Sequence, residues 1–223
     1  MAVRELTTGV PAGFRRAQDV ARAVVAEVGE LSLAGRSEAE IARWIDERLR
    51  ELGAEGTWCP TLVGAGEGTL VCHPDHLPSE SRRVEAGGVV WADVTPVVDG
   101  WYGDITRAWL AGEPTPGDAS LVRDARAILQ DALAFVEPGM EARELFLHSK
   151  GLIDAGGYRL CDLLGNIGHD LGRGEAYANG FIDASNATPM WGGWAIEPHI
   201  GLERRGAKFE DIVWLSASGR ELV

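Results

Sequence analysis

Five ionisable residues occupy apolar stretches. Asp93 lies in Val89-Val90-Trp91-Ala92-Asp93-Val94 and Asp104 in Trp101-Tyr102-Gly103-Asp104-Ile105. His169 follows Ile167-Gly168, Glu197 follows Trp194-Ala195-Ile196, and Glu210 sits in Lys208-Phe209-Glu210-Asp211-Ile212-Val213. An uncompensated polar group in an apolar strand costs about 2–7 kcal/mol. Taken singly, any of these acids could be a strand-end or turn residue in water. Taken together, four carboxylates and one imidazole call for a shared compensator. A pair of divalent cations held by oxygen-rich ligands is the simplest, and such a pair acidifies water for hydrolysis.

The elements that hold these residues follow from local patterns. Asp99-Gly100 is a two-residue hairpin signal between β-rich segments. With those two residues as the loop, Val98 pairs with Trp101 and Asp93 with Thr106. Asp104 then lies on the face of Asp93, diagonal to it, at about 7–8 Å between backbones. A slip of one residue would send the two acids to opposite faces. Glu197 and Glu210 repeat the device across a polar turn, Glu203-Arg204-Arg205-Gly206.

Helical periodicity predicts four helices: Ala17 to Leu31, a second opened by the capping box Ser37-Glu38-Ala39-Glu40, Asp118 to Val136, and Glu141 to Ala155. Their apolar stripes read as core. Ala21-Arg22-Ala23-Val24-Val25 matches Ala125-Arg126-Ala127-Ile128-Leu129, and Gly35, Ile41 and Gly53 match Gly139, Leu145 and Gly157, all 104 positions apart. This offset predicts an internal duplication, two α/β halves about a pseudo-twofold axis.

Asp93-Val94-Thr95-Pro96-Val97-Val98-Asp99-Gly100-Trp101-Tyr102-Gly103-Asp104-Ile105-Thr106-Arg107 resembles the paired-aspartate signature of the methionine aminopeptidase, prolidase and creatinase family, the pita-bread metallohydrolases. Ile167-Gly168-His169-Asp170-Leu171-Gly172 resembles its histidine motif, and Ile196-Glu197-Pro198 and Phe209-Glu210-Asp211 its two glutamate motifs. The likeness covers about residues 14–223, in the right order and spacing, and is nearest to the Xaa-Pro peptidase branch. It implies the pita-bread α/β fold, with duplicated halves and a curved, mostly antiparallel sheet. It also implies one catalytic domain over residues 1–223, without the N-terminal domain of larger relatives.

The resemblance further implies metal ligation by Asp93, Asp104, His169, Glu197 and Glu210, with Asp104 and Glu210 bridging two ions, Asp93 on one ion, His169 with Glu197 on the other, and Glu197 also taking the proton of the water. Hard oxygen ligands suit manganese, with cobalt or zinc as alternatives. His76 falls at the interval of a substrate-contacting histidine; His73 is the rival candidate. The implied reaction is hydrolysis of an N-terminal peptide bond, of aminopeptidase or Xaa-Pro dipeptidase type. One departure stands out: relatives carry a second histidine seven residues after the ligand histidine, where this chain has Ala176. His199, two residues after Glu197, is the candidate to replace it in binding substrate. The arginine often found in the last motif is replaced by Lys208. A member of the family that binds metal or a partner without catalysis, and a C–N hydrolase of the creatinase kind, are the competing classes.

Composition fits these expectations. A chain of 223 residues can bury a large core. A formal net charge of −13 argues against a nucleic-acid partner. No apolar run is long enough to span a membrane and no signal-peptide pattern opens the chain, whose start, Met1 to Thr8, is short and polar. Three scattered cysteines predict free thiols and a reducing cytoplasm. A peptide substrate is the expected partner, and the resemblance leaves room for a homodimer.

Overall fold

The order of elements repeats once along the chain. The computed structural model describes residues 9–223; the polar start, Met1–Thr8, lies outside the described residues. The first half runs α1 (Ala12–Gly29), α2 (Glu38–Glu51), β1 (Gly56–Thr57), β2 (Leu62–Ala65), a 3-10 helix (Gly66–Leu70), β3 (Val89–Val94), β4 (Pro96–Val98), β5 (Trp101–Tyr102) and β6 (Ile105–Leu110). The second runs α3 (Pro116–Phe135), α4 (Ala142–Ala155), β7 (Arg159–Leu160), β8 (Gly168–Leu171), β9 (Ala176–Phe181), β10 (Gly192–Ile196), β11 (His199–Leu202), β12 (Arg205–Lys208), β13 (Asp211–Ser216) and β14 (Gly219–Leu222). Displaced by the offset read from the sequence, α2 coincides with α4 at both ends and α1 starts where α3 does.

Sheet topology repeats as well. The antiparallel sheet β2-β3-β6 has its counterpart in β8-β10-β13, extended by β9 and β14 into five strands. The small sheet β1-β4-β5 has its counterpart in β7-β11-β12. Each helical pair covers its own large sheet. Val24 and Val28 of α1 and Ile41, Ile45 and Leu49 of α2 pack with Val90, Ala92 and Val94 of β3. Leu121 and Leu129 of α3 and Leu145 and Ile153 of α4 pack with Trp194 and Ile196 of β10. Strand β3 is buried on both faces: the alternate residues Val89 and Trp91 join the second core. The period-2 alternation of a strand puts Asp93 on that second face, toward the seam between the halves.

Helix starts explain which boundaries were legible. Ser37 caps α2 reciprocally: its hydroxyl accepts from the Glu40 amide at 3.1 Å, and its own amide donates to the Glu40 carboxylate at 2.6 Å. Thr115 caps α3 by accepting from the Asp118 amide, with Pro116 in the first turn. Helix α1 begins at Ala12, ahead of the expected Ala17. Its N-cap is Pro11, which makes no side-chain bond, so no polar residue announces the start.

Candidate metal centre

The Asp99-Gly100 hairpin forms in the expected register. Both loop residues have positive φ, 51° and 71°, as a tight turn matching strand twist requires. Val98 pairs with Trp101, and the ladder resumes in the same register with Asp93 opposite Thr106. Between the two ladders the chain opens at residues 103–104, and Asp104 is held there by Gln18. The Gln18 amide donates to the Asp104 carbonyl at 2.6 Å and its oxygen accepts from the Asp104 amide at 2.9 Å. The second hairpin behaves alike: Ile196 pairs with Asp211 and His199 with Lys208 in one register, so Glu197 and Glu210 face each other across the break.

The two devices meet at the pseudo-twofold axis. Thr106 and Glu210 are related by the duplication offset, yet they touch: the Glu210 amide donates to the Thr106 carbonyl at 3.0 Å, and the Thr106 hydroxyl donates to Glu210 Oε2 at 2.8 Å. A residue can contact its own symmetry counterpart only near the axis. Arg107 and Asp211, the next pair, are bound by an ion pair at 2.6 Å.

Around this point two overlapping ligand sets form. Asp104, His169 and Glu210 are one; Asp93, Glu197 and Glu210 are the other, and in each the ligand atoms lie within 4.8 Å of one another. His169 Nε2 is 3.6 Å from both Asp104 Oδ2 and Glu197 Oε1. Three buried oxygens at the centre, Asp93 Oδ1, Asp104 Oδ1 and Glu210 Oε1, have no hydrogen-bond partner. Orphaned buried oxygens are rare in folded proteins, and here they point to a cation. Burial, with Glu210, Asp93 and Glu197 adding repulsion, pushes the Asp104 carboxyl well above its usual range. Burial likewise pushes Glu210 up to about 8, with Glu197 and Asp93 adding to it against the pull of Lys208. The Lys208 ammonium, 2.7 Å from Asp93 Oδ2 and 2.6 Å from Glu197 Oε2, supplies one positive charge against four acids; the unpartnered oxygens that remain give a donor set that fits divalent cations.

A cleft of about 240 Å³ opens onto the centre. Its lining includes Asp93, Asp104, His169, Glu197, Trp58, His73, Tyr177 and Phe181. Trp58 packs edge-on against the His169 ring and Tyr177 lies at 4.6 Å from it, so aromatic walls fix the imidazole.

Residues 12–217 match the sequence profile of Metallopeptidase family M24. The chain belongs to this family. It is 31% identical over 115 residues to the methionine aminopeptidase of Escherichia coli (strain K12), a match covering 52% of this chain and 42% of the relative. It is 25% identical over 201 residues to the Xaa-Pro dipeptidase of Pyrococcus furiosus, covering 89% of this chain and 56% of that protein. The chain thus spans about half the length of these relatives. Among solved structures, a prolidase from Thermococcus sibiricus superposes with a TM-score of 0.83 at 25% identity, covering 94% of this chain and 57% of that one. A methionine aminopeptidase from Thermotoga maritima shares the fold over 97% of this chain and 98% of its own, with a TM-score of 0.78 at 19% identity.

The candidate histidines of this family M24 member take different positions. His73 lines the cleft and His76 does not: His76 sits past a turn closed by its own amide, which donates to the His73 carbonyl at 2.8 Å. His199 is not a cleft residue either. It is 2% exposed, donates from Nε2 to the Thr69 carbonyl at 2.7 Å, and packs edge-on against Trp91. Burial first, and Lys208 nearby, hold its pKa down to about 4, against the pull of the Thr69 carbonyl. Its ring is turned to Thr69, away from the cleft that Tyr177, the neighbour of Ala176, lines.

Tyr177, beside Ala176, was not singled out from the sequence. Strands β8 and β9 pair His169 with Phe181 but Leu171 with Ala176, leaving surplus residues on β9. Such bulges re-aim side chains. Tyr177 takes φ 64°, a left-handed conformation uncommon for a bulky residue, and lines the cleft. Burial, then the carboxylates of Glu197 and Asp104, raise its phenol pKa. Only its adjacency to Ala176 could have flagged it.

Proposed function

We propose that the protein is a dinuclear-metal exopeptidase that removes or releases an N-terminal residue from a small peptide, of aminopeptidase or Xaa-Pro dipeptidase type. The observation that carries this reading is the pair of ligand sets sharing Glu210, with unpartnered buried oxygens, at the floor of a small cleft. A cleft of about 240 Å³ suits one or two amino-acid residues better than a long polypeptide. Family membership supports hydrolysis, and manganese is the ion best matched to mostly oxygen donors, with cobalt or zinc as alternatives.

Asp93, Asp104, His169, Glu197 and Glu210 would hold the ions. When bound, a pair of divalent ions acidifies water toward neutral pH and polarises a carbonyl. The protein supplies the rest. Glu197 has the most exposed side chain of the four carboxylates, 16% against 11%, 3% and 1% for Asp93, Asp104 and Glu210. Of the three ligand acids that line the cleft, Asp93, Asp104 and Glu197, it is therefore the best exposed to accept and return a proton. His73 and the Tyr177 phenol line the same cleft and are placed to donate hydrogen bonds to a carbonyl oxygen as charge develops on it. Trp58, Tyr177 and Phe181 form apolar walls of the cleft and would shape the side-chain subsite.

The second reading, a member that binds metal or a partner without turnover, is favoured by one observation, the alanine at position 176. Assay of the metal-supplemented protein on Xaa-Pro dipeptides and Met-Xaa peptides separates the two. Release of the N-terminal residue supports the exopeptidase; metal uptake without cleavage of any peptide supports the second reading.

A further inference from the structure

Strand β6 is an open edge and its counterpart is not. Strand β13 carries β14 along its outer side, whereas β6 ends its sheet with no strand beyond it among the described residues. The Thr106 carbonyl of β6 points away from β3, since it accepts from the Glu210 amide. Strand alternation turns the main-chain groups of Ala108 and Leu110 the same way. The equivalent of Ala108, 104 positions on, is Ile212, and the Ile212 carbonyl accepts from the Val223 amide at 2.9 Å. No amide reaches the Ala108 carbonyl in this way among the described residues.

The second half shows what such an edge holds. Val223, at the end of β14, is 2% exposed and packs with Phe14 of α1 and with Ile212 and Trp214 of β13. The Arg22 guanidinium of α1 donates to the Val223 carbonyl oxygen. Arg22 is equivalent to Arg126, and Trp214 to Leu110. In the first half Ala108, Leu110 and Arg126 line an open groove of about 510 Å³ between β6 and α3, with Val122 and Phe209. The chain does not fill it, because the positions equivalent to β14, 115–118, cap and begin α3. Arg126 is exposed, makes no ion pair among the described residues, and lies 5.8 Å from the centre of the Phe209 ring. Arg107 and Arg123 line the same groove but are paired with Asp211 and Asp124, so Arg126 carries its unmatched charge.

We propose that this groove binds the extended C-terminal segment of a partner protein, added antiparallel to β6 and ending in an apolar residue whose carboxylate meets Arg126. Ala108 and Leu110 supply the main-chain pairing, as open strand edges do for added peptides. Alanine in place of Ile212 leaves room for the last side chain of the segment, which takes the place that Val223 takes against β13. The guanidinium gives the terminal carboxylate a charge-assisted partner. The site is separate from the metal centre, since no residue of either ligand set lines the groove.

The chain's own last strand supplies the probe. A peptide with the sequence of residues 216–223, carrying fluorescein on its N-terminus, is titrated with the whole protein and followed by fluorescence polarisation. The same peptide with a C-terminal amide, and the variant Arg126→Ala, remove the carboxylate and its partner in turn; a thermal melt establishes that the variant is folded. Amide hydrogen exchange at Ala108 and Leu110 is measured by NMR with and without peptide. Binding to wild type should saturate, weaken by roughly tenfold on amidation and by a similar factor in Arg126→Ala, and slow exchange at both amides. No saturable binding at millimolar concentration overturns the proposal, as does an affinity that neither change alters, or unchanged exchange at both amides. Protection of these amides that rises with protein concentration without peptide assigns the edge to a second copy of this chain and overturns it too.

Discussion

His199 gives a pH dependence that can be worked out from its surroundings. Its ring is buried against Trp91 and Thr69, and its pKa is lowered from 6.5 to about 4. The unfolded chain therefore binds a proton that the folded protein refuses between these two values. The sign follows: this residue's contribution is intact above about pH 6.5 and is lost as pH falls toward 4, where the loss levels off. At about 1.4 kcal/mol per unit, the full loss is about 3 kcal/mol. Other acids titrate in the same range, so the contribution is isolated by difference. Urea unfolding of wild type and His199→Gln, both metal-free, at pH 7 and pH 4 is the assay. Glutamine keeps a donor for the Thr69 carbonyl and does not titrate. The stability difference between the two proteins should shift by about 3 kcal/mol toward the variant on acidification. A difference that stays constant between pH 7 and pH 4 would refute the assignment of His199 as a buried, neutral, non-catalytic residue.

Three further outcomes test neighbouring parts of the account. Glu38 is fully buried and accepts from the Ala65 and Ser79 amides and from Arg82; Glu38→Ala should destabilise by about 3 kcal/mol or more in denaturant unfolding, and a loss under about 1 kcal/mol would deny it that role. A Cβ at Gly168, where φ is 147°, would stand 2.1 Å from the Ala195 carbonyl oxygen; Gly168→Ala should lower stability by about 2 kcal/mol or more and weaken metal uptake through the displaced His169, and wild-type values for both would show the strand to be more yielding than its packing implies. Tyr177→Phe should lower kcat on any cleaved peptide by roughly tenfold or more at unchanged metal content; unchanged turnover would remove the phenol from the chemistry.

The ladder holding Asp93 was legible because Asp99-Gly100 fixes both loop residues at positive φ, and the loop fixes every pairing behind it. The duplication was legible because its offset runs without a gap across both helix pairs. What escaped sequence reading depended on tertiary context. His73 and His76 lie in one turn, and only its closure decides which faces the cleft. His199 lies two residues after Glu197, but the chain breaks its sheet between them, so the histidine turns toward Thr69. Lys208 was visible as a substitution, yet its reach to both Asp93 and Glu197 appears only when the two halves meet. Tyr177 enters the cleft through a bulge that no turn residue marks.

Glu210 is the residue that belongs to both ligand sets, so metal stoichiometry of Glu210→Ala is the most direct test of the shared centre. Wild type and variant are dialysed to equilibrium against millimolar manganese, and bound metal per chain is measured by elemental analysis. The account predicts about two ions per wild-type chain and almost none in a folded Glu210→Ala protein. Two ions retained by the variant, or none taken up by the wild type, would contradict it.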